Sequence, residues 1–151
     1  MTTTPVLTRD IGRAERTLRA LLDRLLDDAG VSFPQWTVFN LLDGSASLSR
    51  SELVRRLVGG HVATEPEARA AVDGLLSAGL VTEAEAADAD DPVLTLTPAG
   101  EAVFRRIRQA VAGITDDVFG GLPPADVEAT HRTLEEVARR AKARLAADDA
   151  G

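Results

Sequence analysis

The chain has no cysteine and no tyrosine, one tryptophan and four phenylalanines in 151 residues. Without thiols, disulfides, zinc-thiolate sites and cysteine nucleophiles are excluded. With aromatics at 3%, the core must be built from Leu, Val, Ile and Ala, a set that suits closely packed helices. Positive charge is also short. There are 17 Lys and Arg against 24 Asp and Glu, for a net charge of −7 and a pI of about 4.8. That balance opposes general affinity for nucleic acid or anionic membranes. No segment approaches a membrane-spanning length, and Met1-Thr2-Thr3-Thr4-Pro5 carries no basic region followed by an apolar run. The expectation is a soluble, cytoplasmic protein of one domain. Catalytic signatures are missing as well. No Gly-x-Ser-x-Gly, His-Glu-x-x-His, phosphate loop or dinucleotide fingerprint occurs. His61 and His131 have no metal-spaced partners. The alternation of Asp88 and Asp90 lacks the Gly and terminal Glu of a calcium loop. A non-enzyme without metal or cofactor is expected.

What the chain does have is helical periodicity. Leu7, Ile11, Ala14, Leu18, Leu21 and Leu25 step by 4, 3, 4, 3, 4, a heptad seam over a predicted helix at 8–29 that Gly30 ends. Leu22 and Leu26 widen its stripe. Pro34 opens a short helix at about 34–43 carrying Trp36, Val38, Phe39, Leu41 and Leu42. Ser49-Arg50-Ser51-Glu52 and Thr64-Glu65-Pro66-Glu67 both read as capping boxes. They open helices to about 58 and 78, and Gly59-Gly60-His61 makes the turn between them. Strands are predicted at 80–82 and 93–96, forming a hairpin. Thr97-Pro98 caps a long helix at 98–119, with Val103, Ile107, Ala110 and Ile114 on one seam. Gly120-Gly121-Leu122-Pro123-Pro124 breaks the chain before a last helix at 124–147, where Val127, Leu134 and Ala141 recur every seven. Three long amphipathic helices cannot bury their stripes fully in a monomer of this size, so a homodimer with interleaved terminal helices is expected.

The order helix, helix, turn, helix, hairpin is that of a winged helix-turn-helix, and the layout resembles the MarR family of transcriptional regulators. The residues that carry the resemblance are Phe33-Pro34-Gln35-Trp36-Thr37-Val38-Phe39-Asn40-Leu41-Leu42, Ser51-Glu52-Leu53-Val54-Arg55-Arg56-Leu57, Val72-Asp73-Gly74-Leu75-Leu76-Ser77-Ala78-Gly79-Leu80-Val81 and Leu94-Thr95-Leu96-Thr97-Pro98-Ala99-Gly100. The fold class this implies is mainly α with a small β-hairpin wing, a winged helix-turn-helix flanked by long dimerisation helices. It is a single unit over 1–151, with the winged helix-turn-helix lobe at 33–97 and dimerisation helices at 5–30 and 98–147. The resemblance implies a homodimer on pseudo-palindromic duplex DNA with a small-molecule effector, and no membrane partner. DNA contacts would fall to Arg69, Arg55, Arg56, Arg50 and Thr64, and Trp36 would line the ligand pocket.

The lobe departs from the family pattern in charge. The hairpin tip, residues 83–91, holds Glu83, Glu85, Asp88, Asp90 and Asp91 and no base, where the family usually sets basic residues after an Asp. Glu65 and Glu67 stand at the helix N-terminus that would meet DNA, with Arg69 its only base. The stretch between Leu57 and Ala68 is about four residues longer than usual. From Leu48 to Thr97 nine acids oppose four bases, a net of −5. The competing expectation is a divergent winged-helix protein with weak or lost DNA binding, acting as a protein-interaction or ligand-binding module.

Overall fold

The computed structural model describes residues 4–84 and 90–151. By contact density the chain divides into two compact units, Met1–Ala112 and Gly113–Gly151. The first unit begins with helix α1 (Thr4–Ala29), four residues earlier than the periodicity predicts. It ends where expected. Gly30 takes φ 69°, and Val31 N–H reaches back to Leu26 O at 2.9 Å, the left-handed C-terminal turn that glycine adopts without penalty.

Helix α2 (Phe33–Leu41) is capped by a box that sequence reasoning missed. Ser32 accepts from Gln35 N–H, and the Gln35 side chain returns to Ser32 N–H at 3.0 Å. The Gln35 amide also donates to Ala71 O at 3.3 Å, so one side chain both starts α2 and ties it to α4 (Glu65–Ser77). A single 3-10 turn, Asp43–Ser45, follows α2.

Strand β1 (Leu48–Ser49) was also not foreseen, and it turns the expected hairpin into a three-stranded antiparallel sheet of order β1-β3-β2. β2 (Val81–Ala84) and β3 (Val93–Leu96) pair in the register Val81↔Leu96 to Ala84↔Val93, while Leu48 faces Leu94. Two residues are too few for a period-two pattern to be read. Helix α3 (Arg50–Gly59) lies between β1 and α4 in the chain.

The core collects Leu26, Val38, Phe39, Leu42, Leu53, Leu57, Val72, Leu75 and Leu94, each fully enclosed, with Phe104 and Ile107 from α5 (Pro98–Phe119). Each large side chain so enclosed contributes about 1.5–3 kcal/mol. No polar or charged side chain is buried among the described residues.

The second unit holds the end of α5 and all of α6 (Pro124–Asp149). No residue of α6 is buried, and Leu134 and Leu145 keep 42% and 52% of their surface. In the first unit the outer part of the α1 seam, Leu7, Ile11 and Leu18, is likewise exposed, while Leu26 is enclosed and Leu22 packs against the core. No helix among the described residues is long and apolar enough to cross a membrane.

Candidate nucleic-acid interface

The buried stripe of α3 is Leu53, Val54 and Leu57. Burying those three turns Arg50, Arg55 and Arg56 off the core face. Ser49 caps the helix by accepting from Glu52 N–H at 3.2 Å. The predicted reciprocal bond from Glu52 is replaced by a stronger attraction. Its carboxylate holds Arg56 Nε at 2.9 Å and also pairs with Arg55. The hydrogen bond from Arg56, aided by the charges of Arg55 and Arg56, keeps the Glu52 carboxyl below its usual range.

After α3 the chain turns through a Schellman motif. Val62 N–H reaches Leu57 O at 2.9 Å, and His61 N–H reaches Val58 O at 3.1 Å. The left-handed position, φ 57°, falls on His61 rather than on Gly59 or Gly60. The extra residues of this turn deliver Thr64 to the start of α4. There the predicted capping box is complete. Thr64 Oγ1 accepts from Glu67 N–H at 3.4 Å and Glu67 Oε2 accepts from Thr64 N–H at 3.1 Å. Ala68, Ala71, Val72 and Leu75 face inward on α4, which turns Glu65, Arg69 and Asp73 outward.

Each of these outward arginines is matched by a carboxylate. Arg69 places Nη2 and Nε on the same Glu65 oxygen, at 2.8 and 3.3 Å. Arg50 crosses from α3 to pair with Asp73 on α4. The base of the wing is tied in by another acid. Asp91 accepts from Ser51 Oγ at 2.6 Å and from Ser51 N–H at 3.0 Å, and Arg50 N–H reaches Pro92 O at 2.9 Å. The Ser51 hydroxyl, followed by its backbone N–H, holds the Asp91 carboxyl below its usual range. Asp91 therefore complements the N-terminus of α3 as well as adding negative charge. Of the acidic tip, residues 85–89 lie outside the described residues.

Arg50, Arg55 and Arg69 line one open groove of about 710 Å³, together with Ser51, Glu65 and Asp91. Arg56 shares Glu52 with Arg55, and the Thr64 hydroxyl is engaged as a cap. Three of the five predicted DNA-facing residues thus converge on one groove. The pair of Arg69 with Glu65, four positions apart, is legible in the sequence; the pairing of Arg50 with Asp73 across α3 and α4 is not.

Trp36 is half-buried, with its ring 5.3 Å from that of Phe104. Phe104 in turn lines a cavity of about 570 Å³, with Asp43, Arg105, Arg108 and Gln109 at its rim. Arg108 pairs with Asp43 at 3.2 Å and sits 5.3 Å from the centre of the Phe104 ring. Sequence reasoning missed this cavity. Its signal was Arg105, Arg108 and Gln109 at spacings of three and four on the outward face of a helix. Among the described residues no cluster of three metal-ligating side chains occurs.

No protein-family profile matches the chain, and no curated protein matches it in sequence. Solved structures do match. A MarR family transcriptional regulator from Silicibacter pomeroyi is 26% identical, with 87% of this chain and 84% of that one covered and a TM-score of 0.65. A MarR family protein from Bacillus stearothermophilus is 16% identical over 93% and 96%, with a TM-score of 0.75. BpsR of Bordetella bronchiseptica, whose DNA binding is regulated by 6-hydroxynicotinic acid, is 22% identical over 91% and 96%, with a TM-score of 0.71.

Proposed function

From the winged-helix fold of the MarR family transcriptional regulators, which this chain carries over nearly its whole length, we propose that the protein is a dimeric regulator that binds pseudo-palindromic duplex DNA and responds to a small-molecule effector. The observation that carries this reading is the groove at α3 and α4, where Arg50, Arg55 and Arg69 stand together on a solvent-facing surface. Guanidinium groups so placed can take phosphate oxygens or the O6 and N7 edge of guanine. In a two-fold dimer the paired grooves meet half-sites about one helical turn apart. Support for the dimer comes from apolar side chains that each unit leaves in water: Leu7, Ile11 and Leu18 on α1, and Val127, Leu134 and Leu145 on α6.

The effector reading rests on the cavity beside Phe104. Its Phe104 floor and the Arg105 guanidinium, beside Glu101 and the Arg108–Asp43 pair, suit a small aromatic acid, the class to which the regulator of BpsR belongs. Trp36 touches this site through Phe104, 5.3 Å between ring centres, and does not itself line the cavity. The test is selection of genomic fragments by the full-length protein, followed by anisotropy titration of the fragment enriched. Arg69→Ala should weaken binding about tenfold, as expected for losing one base-edge contact. Enrichment of no fragment at low salt overturns the reading.

A second reading is favoured by one observation: every arginine of the groove is already in an ion pair with a carboxylate of the same lobe. On this reading the protein is a winged-helix module for a protein or small-molecule partner, without DNA binding. It predicts that the selection enriches nothing, while an aromatic acid still raises thermal stability by binding the folded state.

A further inference from the structure

We propose that Glu52, Glu65 and Asp73 are specificity-determining residues of the DNA-facing surface: they are built-in counterions of its four arginines, and they suppress sequence-independent binding. This rests on the DNA-binding reading above and says how that surface selects its target. Arg55 and Arg56 share Glu52, Arg69 is forked onto Glu65, and Arg50 is held by Asp73.

An ordinary arginine leaves water for a phosphate, and the DNA releases a condensed cation in exchange. That release supplies most non-specific affinity and makes it fall steeply with salt, with a logarithmic slope of about −0.9 per contact. Here the arginine must first leave a carboxylate. The carboxylate then faces the phosphate backbone uncompensated and gathers a cation from solution. Release and uptake nearly cancel, so the salt-driven part of binding collapses. What remains is a contact that a carboxylate of the same lobe does not reproduce, such as a bidentate bond to a base edge.

The pairs do not lock the surface. Arg69 and Glu65 are solvent-exposed, at 56% and 61%, and each of the other pairs has one partner about half or more open to water, Asp73, Arg55 or Arg56; exposed pairs of this kind open readily. The N-terminus of α4 carries the same logic. A helix N-terminus ordinarily attracts a phosphate, but at α4 Glu65 and Glu67 occupy the first turn and Glu67 closes the cap. The phosphate that would be drawn there without regard to sequence meets two carboxylates.

The experiment uses full-length protein and a labelled duplex of random sequence, titrated by anisotropy between about 20 and about 200 mM KCl. The variants are Glu65→Gln and the triple Glu52→Gln, Glu65→Gln, Asp73→Asn. The control is Glu128→Gln, which removes the same charge from an (i, i+4) pair with Arg132 on α6, 3.2 Å long. The wild type is expected to bind random duplex weakly with a shallow salt slope. Glu65→Gln is expected to bind roughly tenfold tighter at the lowest salt and to steepen the slope by about 0.9 per arginine released. The triple variant steepens it further, and Glu128→Gln follows the wild type. If Glu65→Gln and the triple variant both track Glu128→Gln in affinity and slope, the proposal is overturned. The regulator reading fails separately. Should genomic selection with the wild type enrich nothing while the triple variant gains steep binding to random duplex, the counterion role stands and the regulator reading falls.

Discussion

His61 holds a backbone conformation that costs an L-residue about 1–2 kcal/mol, because the left-handed position of the Schellman turn falls on it. Glycine carries no such cost but has more freedom to lose from the unfolded chain. His61→Gly is therefore expected to stabilise the protein by about 0.5–1 kcal/mol, read from the urea midpoint; an unchanged or lowered midpoint contradicts the assignment. Gly100 is the opposite case. A Cβ there would lie 1.9 Å from Leu80 O, which is itself held by Thr97 N–H at 3.1 Å. Gly100→Ala must push backbone apart and is expected to cost about 1–3 kcal/mol in the same measurement. The Thr-Pro-Ala-Gly run at 97–100 was legible in the sequence as a helix start. The requirement for glycine at its end was not, because the crowding atom comes from Leu80, twenty residues earlier.

Helix α6 carries a charge cluster of its own. Glu136 accepts from Arg139 and Arg140, and its carboxyl is lowered from 4.5 to about 2 by those two hydrogen bonds, Arg139 first. A carboxylate whose folded pKa is depressed contributes stability that is present above its unfolded value and lost as pH falls through the folded one. Acidification from about pH 5 to about pH 2 should therefore lower the melting temperature less in Glu136→Gln than in the wild type, followed by circular dichroism. At α4 the complete capping box predicts that Thr64→Ala costs about 1 kcal/mol. Periodicity, glycines and capping residues located α1, α3, α4, β3 and α5 to within a few residues, because those signals are local. β1 is not legible in the sequence because a two-residue strand is defined by its pairing with β3, some 45 residues away. The Glu52 half of a capping box was misread because two arginines one turn on compete for the same carboxylate.

At the scale of the whole molecule, the seams on α1 and α6 argue for association. Exposed leucines at this spacing gain about 25 cal/mol for each Å² of apolar surface removed from water. Leu134→Glu places a charge in the seam and is expected to convert the proposed dimer to monomer in analytical ultracentrifugation, without loss of the first unit's fold. A wild type that sediments as a monomer removes the dimer altogether. The groove carries its own prediction at this scale. On the DNA-binding reading, Glu65→Gln, which frees Arg69, is expected to raise affinity for duplex DNA at low salt more than Glu128→Gln does, although both change the net charge by one; equal affinities in an anisotropy titration contradict it.

The sequence by itself determined the winged-helix order, the amphipathic helices and the shortage of positive charge on the lobe, since composition, period and caps are properties of neighbouring residues. Only the tertiary structure decided which charged and polar groups meet between elements. Arg50 finds Asp73, and Asp91 finds Ser51, across separations of 23 and 40 residues. Packing α3 against α4 and closing the sheet onto α3 brought these groups within hydrogen-bonding reach. Coulombic and hydrogen-bond energies depend on distances of a few ångströms, which a linear chain does not specify until its core has formed.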